Sequence, residues 1–117
     1  MLYKKSNSYV ERKARSARLL KQYPDNFPVI IEADPYSTQT QMTHKCLVHN
    51  ALTIANIQQI LRKKLKLNEY QAIYICTGQT ILSGTLTIEY VYNHYKSDDD
   101  FLYLTYCNEN SFGGSQS

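Results

Sequence analysis

The order of apolar periodicities along the chain predicts an α+β fold: one sheet with a helix packed across a face, and a further helix added at the N-terminus. Three observations carry this. Helical stripes at 54–65 and 88–95 alternate with short strand-like runs at 28–32, 45–48, 72–76 and 101–106. A cation-rich helical segment precedes the first of those runs. No repeat or linker divides the 117 residues, a length that supports a single core.

Each element has its own signal. Residues 9–22 read as a helix, with Val10, Ala14, Ala17 and Leu20 near 3.6-residue spacing as its apolar stripe. Tyr23-Pro24-Asp25-Asn26 reads as a stop and turn. Pro28 to Glu32 is β-branched and strand-like, Ala33 to Thr43 is a polar loop, and Lys45 to Val48 starts a second strand. Thr53 is a candidate N-cap for a helix whose stripe is Ile54, Ile57, Ile60, Leu61 and Leu65. Ala72 to Cys76 reads as a buried strand, and Gly78 to Gly84 as a turn with a fragment of strand. Thr87 can cap a helix with Ile88, Val91, Tyr92 and Tyr95 on one face. Ser97 to Asp100 breaks it, and Phe101 to Tyr106 is the last strand.

Helix, β-β-α-β-(β)-α-β is the order of a ubiquitin-like β-grasp sheet whose last strand returns to the middle, with the additional N-terminal helix or helices on the sheet's open side. The boundaries expected are an N-terminal helical subdomain at 1–26, the β-grasp core at 27–107 and a flexible C-terminal tail at 108–117, all in one compact domain.

Composition narrows the function. Apolar residues make up 43% and charged residues 20%, ordinary values for a globular protein. No apolar run approaches the roughly 20 residues of a membrane span. The start, Met1 to Ser6, lacks a secretory signal pattern, so a cytoplasmic location is expected. Cys46, Cys76 and Cys107, odd in number and widely spaced, suit reduced thiols better than a disulfide framework or a zinc site. The net charge of +3 is uneven: seven cations against Glu11 alone in residues 1–22, and a second cluster at Arg62, Lys63, Lys64 and Lys66. Either patch could hold nucleic acid, anionic lipid or an acidic peptide; either could equally be a solvated helix face.

No enzyme is expected. Cys46 lies near His44 and His49, but no orienting acid or oxyanion element accompanies them. There is no phosphate-cradling glycine loop and no metal-ligand spacing, so neither a metal nor a cofactor is expected. The end of the chain is more telling. Ser111-Phe112-Gly113-Gly114-Ser115-Gln116-Ser117 places glycine behind a folded body, where its missing Cβ lets the backbone pass through a narrow enzyme channel. The plain alternative is a frayed terminus.

Stretches along nearly the whole chain resemble one family. They are Glu11-Arg12-Lys13-Ala14, Lys21 through Ile30, Lys45-Cys46-Leu47-Val48, Leu52-Thr53-Ile54, Ile60 through Leu65, Phe101 through Tyr106, and Glu109 through Gly113. The resemblance is to the autophagy-related ubiquitin-like modifiers, that is, autophagy-related protein eight and its GABARAP-like relatives. It implies a protein that is itself a modifier. A processing cysteine protease exposes a glycine, here matched by Gly113, with Gly114 a second candidate. Ubiquitin-like activating and conjugating enzymes then couple it to phosphatidylethanolamine. The lipidated pool sits on autophagosome membranes, supports their growth, and recruits cargo receptors and adaptors; the rest stays cytoplasmic, and no nucleic acid is expected as a partner. A non-conjugated ubiquitin-like binding module or a basic nucleic-acid-binding domain is the alternative.

The same resemblance implies a groove that takes an aromatic-x-x-aliphatic peptide as an extra strand beside Lys45 to Val48. Its aromatic pocket maps to Leu19, Pro28, Ile30, Lys45, Leu47 and Phe101. Its aliphatic pocket maps to Cys46, Val48, Leu52, Ile57, Ile60 and Leu61. Arg62, Arg15 and Arg18 are the expected contacts for acidic ligands, and Arg15 stands where relatives carry an acid. Cys46 and Ile57 replace aromatic residues of the pattern, which reshapes the aliphatic pocket.

Overall fold

The computed structural model describes residues 1–35 and 42–108. Its elements are α1 (Leu2–Ser6), α2 (Tyr9–Gln22), β1 (Asn26–Ala33), β2 (Thr43–His49), α3 (Ile54–Lys64), β3 (Ile73–Thr77), β4 (Thr80–Ile81), α4 (Ile88–Tyr95) and β5 (Leu102–Asn108). The five strands form one sheet in the order β2-β1-β5-β3-β4. β1 runs antiparallel to β2 and parallel to β5, with Ile30 opposite Lys45 on one side and Tyr103 on the other. The last strand does return to the middle, as the element order predicts.

Alternation along the strands divides the sheet into two faces. Val29, Ile31, Ile75, Leu102 and Leu104 face α3 and α4, and with Ile54, Ile57, Leu61, Ile88 and Val91 they form the main core. Thr53 caps α3 through Asn56, and Thr87 caps α4 through the Tyr90 amide, so both expected caps are in place. Phe27 stacks on Tyr92 with ring centroids 4.2 Å apart and closes one end of this layer. Tyr95, expected on the apolar face of α4, is 40% exposed.

The opposite face carries a much thinner apolar cluster, Tyr3, Ile30 and Phe101, with Leu19 and Tyr103 packed against it. Here the stripe expected of α2 is corrected. Val10 is 75% exposed, and Ala14 and Ala17 are exposed as well. The face turned inward is polar: Ser16 is buried and donates to the Asp99 carbonyl at 2.5 Å, while Arg12 donates to the Asp99 carboxylate. Lys13 reaches Asp100 at 2.5 Å. Of the predicted stripe Leu20 does pack against the main core, and Leu19 joins the thinner cluster, but periodicity counts apolar residues only, and the rest of this helix docks through charge and hydrogen bonds. Ser8 starts α2 with a capping box to Glu11, a signature written in the sequence.

The five-residue helix α1 is too short to leave a periodic signal. It is held by the buried carboxylate of Glu32, which accepts from the Leu2 and Tyr3 amides at 2.9 Å each. Thr43, opposite Glu32 in the β1–β2 register, donates to the same carboxylate at 2.7 Å.

Candidate binding groove at the sheet edge

β2 is an edge strand, so its outer row of amides and carbonyls has no strand partner among the described residues. Its side chains alternate: Lys45 and Leu47 point to the α1–α2 face, and His44, Cys46 and Val48 to the α3 face. A cavity lies on either side of it.

The cavity on the α1–α2 side has a volume of about 480 Å³. Leu19, Ile30, Lys45, Leu47 and Phe101 line it, together with Arg15 and Arg18. Of the residues mapped to an aromatic pocket, only Pro28 is absent: it stands opposite Leu47 in the register and is fully buried. Tyr3, Asn7, Val29 and Cys46 complete the wall. Tyr3 and Asn7 come from the α1 segment, for which the sequence offers no signal. Arg15 is oriented by its neighbours, donating to Asn7 Oδ1 at 2.6 Å and to the Tyr3 hydroxyl at 3.1 Å. Arg18 and Lys45 have no carboxylate partner among the described residues.

The cavity on the α3 side has a volume of about 300 Å³ and is lined by all six residues mapped to an aliphatic pocket: Cys46, Val48, Leu52, Ile57, Ile60 and Leu61. His44, Ile31, Lys45, Leu47 and Lys64 are added to them. Period-2 alternation from Cys46 would have found His44. Arg62 is a correction, because it lines neither cavity. Its guanidinium donates to the Gln71 carbonyl and, at 2.7 Å, to the Asn68 carbonyl, pinning the loop after α3. Lys64 and Lys45 are the cations at this cavity instead.

The thiol chemistry of the site is quiet. Burial pushes the Cys46 thiol up, against a smaller opposing effect of Lys64, so it is not a ready thiolate. Burial, and then the Lys64 charge, pull His44 below its ordinary value. Among the described residues no group of acidic, His and Cys side chains could hold a metal ion. No helix among them is long and apolar enough to cross a membrane. Gly113 and Gly114, singled out in the sequence, lie outside the described residues.

With this geometry in hand, comparison with known proteins gives a consistent result. The family model described as "Autophagy protein Atg8 ubiquitin like" matches residues 11–113. The chain is 35% identical over 112 residues to autophagy-related protein 8 of Mycosarcoma maydis, covering 95% of either chain. It is 36% identical over 114 residues to autophagy-related protein 8b of Arabidopsis thaliana, covering 97% of this chain and 93% of that one. The crystal structure of Trypanosoma brucei ATG8 superposes with a TM-score of 0.87 at 30% identity, covering 92% of this chain and 93% of the other.

Proposed function

The chain belongs to the Atg8 family of ubiquitin-like autophagy proteins, and from that premise we propose that it is a conjugated adaptor carrying a peptide groove on a membrane anchor. A processing cysteine protease exposes Gly113, and ubiquitin-like activating and conjugating enzymes couple it to phosphatidylethanolamine. Two acyl chains are about what stable but reversible anchoring needs. The cytoplasmic protein thereby gains a lipidated pool on autophagosome membranes, where it recruits cargo receptors. The protein performs no catalysis in this scheme.

The observation that carries the recruiting role is the unpaired β2 edge with a cavity on each side of the strand. A peptide strand added there alternates its side chains between the two faces. Two anchors an odd number of residues apart therefore enter opposite cavities. A separation of three spans roughly 10 Å at about 3.3 Å per residue, which fits an aromatic-x-x-aliphatic ligand. Arg15 and Arg18 beside the larger cavity, and Lys64 beside the smaller, favour acidic residues flanking the anchors.

Titrating such a peptide against the wild type and Leu47→Ala tests this. One short strand with two anchors should bind with micromolar strength. Removing the Leu47 side chain should cost roughly 1–3 kcal/mol, as for a pocket-forming contact. Equal affinities would place the groove elsewhere.

A further inference from the structure

The larger cavity has an unusual polar inventory. Apolar Leu19 and Phe101 line it, and so do Arg15, Arg18 and Lys45. These three side chains offer donors and no acceptor. Among the described residues no carboxylate lines the cavity. The two neutral polar groups are already engaged: Asn7 accepts from Arg15 through Oδ1 and donates through Nδ2 to the Tyr3 carbonyl, and the Tyr3 hydroxyl accepts from Arg15. The nearest carboxylate to Arg15, that of exposed Glu11, is 3.8 Å away and also accepts from the Ser8 amide.

We propose that this cavity selects an aromatic anchor carrying an oxygen acceptor on its ring, taking phosphotyrosine ahead of tyrosine, tyrosine ahead of phenylalanine, and tryptophan last. The proposal rests on the groove reading above and adds the chemistry of its first anchor. An indole has a single N–H and no acceptor, so it can take no hydrogen bond from Arg15, Arg18 or Lys45 and only adds a further donor beside them. A phenol oxygen can accept from Arg15. A phosphate brings nearly two negative charges and three acceptors, and guanidinium groups match it in geometry as well as charge. The three cations line the cavity itself, so charge would be recognised on the anchor and not only in the flanking sequence.

Calorimetric titration of the full chain with five peptides tests this. Four are identical except for phosphotyrosine, tyrosine, phenylalanine or tryptophan at the anchor; the fifth carries phosphoserine just before a phenylalanine anchor. Phosphotyrosine should bind roughly tenfold or more tighter than tyrosine, the size expected of charge-assisted hydrogen bonds. Arg15→Gln should bring that ratio close to one, and Arg15→Lys should keep part of it. If Arg15→Gln loosens α1, as thermal melting would reveal, Arg18→Gln and Lys45→Gln supply the same comparison. Leu47→Ala should weaken every peptide alike. If tryptophan or phenylalanine binds tightest, if the fifth peptide gains as much as phosphotyrosine, or if the ratio ignores all three cations, the proposal is overturned while the groove stands. If none of the five binds, the groove reading falls and the proposal with it.

Discussion

Arg12 and Asp99 stand 87 residues apart in sequence, and the guanidinium of one donates directly to the carboxylate of the other. The Asp99 side chain is fully buried, and its second oxygen accepts from the Phe101 amide at 2.9 Å. Tyr103 donates to the same carboxylate at 2.5 Å, and burial together with that carboxylate pushes its phenol well above the ordinary range. One buried acid thus ties α2 to the turn before β5 and to the strand itself. The cluster beneath α1 and α2 is small, so this acid carries much of the docking of α2, as Glu32 does for α1. Asp99→Asn should lower global stability by about 1–3 kcal/mol, since all three bonds lose the acceptor charge and the two to Oδ2 lose their acceptor. Denaturant melts would measure the loss, and hydrogen exchange should place the earliest opening in α1 and α2. Unchanged protection there would mean that the apolar cluster alone holds the helices.

Lys66 ends α3 with a backbone φ of 55°, in the left-handed region that disfavours a side chain. The Leu67 amide donates to the Arg62 carbonyl at 3.0 Å and the Lys66 amide to the Lys63 carbonyl at 3.3 Å, the bond pattern of a Schellman ending that normally uses glycine. Lys66→Gly should therefore raise stability by on the order of 1 kcal/mol, the relief of strain exceeding the added freedom of the unfolded chain. A shift of the urea midpoint to higher concentration checks it, and no shift would show that the lysine side chain compensates through contacts of its own.

The parts of the fold read from the sequence are those whose signals are local. The caps at Thr53 and Thr87, the stripe of α3 and the alternation of β2 all depend on neighbours a few residues away; the residues of the aliphatic cavity come from the family resemblance, since those local signals alone place them in the core. What the sequence misplaces depends on distant partners. Val10 lies on the apolar stripe of α2, yet Ser16 and Arg12 face inward because Asp99 and its carbonyl wait across the gap. Arg62 and Lys64 are both cations at one helix end, and only the carbonyls of Asn68 and Gln71 decide which of them turns away from the groove. Tyr3 enters the larger cavity because buried Glu32, 29 residues further along the chain, captures the amide of its short helix.

His44 makes the smaller cavity sensitive to pH. Its Nε2 is buried with no hydrogen-bond partner among the described residues, and Lys64 of α3, Cys46 of β2 and the Tyr106 ring of β5 surround it. Burial first, then the Lys64 charge, hold its pKa below the ordinary 6.5. The unfolded chain therefore binds the proton more readily, and the stability present above about pH 6.5 is lost as pH falls from there through the folded value. The urea midpoint should drop between about pH 7.5 and about pH 5.5, and His44→Gln should flatten that part of the profile. An aliphatic anchor filling the cavity would desolvate the imidazole further, so peptide affinity should weaken over the same range. An identical profile in His44→Gln would assign the pH response to other groups.

The proposed processing turns on which glycine becomes the terminus. Gly113 follows Phe112, and a cut after Gly113 discards Gly114 through Ser117. A Cβ at the new terminus restricts the conformations that can thread a narrow channel, whereas a Cβ just beyond the cut stays with the discarded piece. Gly113→Ala should leave the full-length precursor, diffuse in the cell and free of lipid, while Gly114→Ala should still be trimmed and lipidated. Intact mass of the protein recovered from cells reads both outcomes, because trimming removes four residues and phosphatidylethanolamine adds its own mass. A lipid mass shift in Gly113→Ala together with its loss in Gly114→Ala would move the attachment point one residue along. A shift in neither variant or in the wild type would leave a binding module without conjugation.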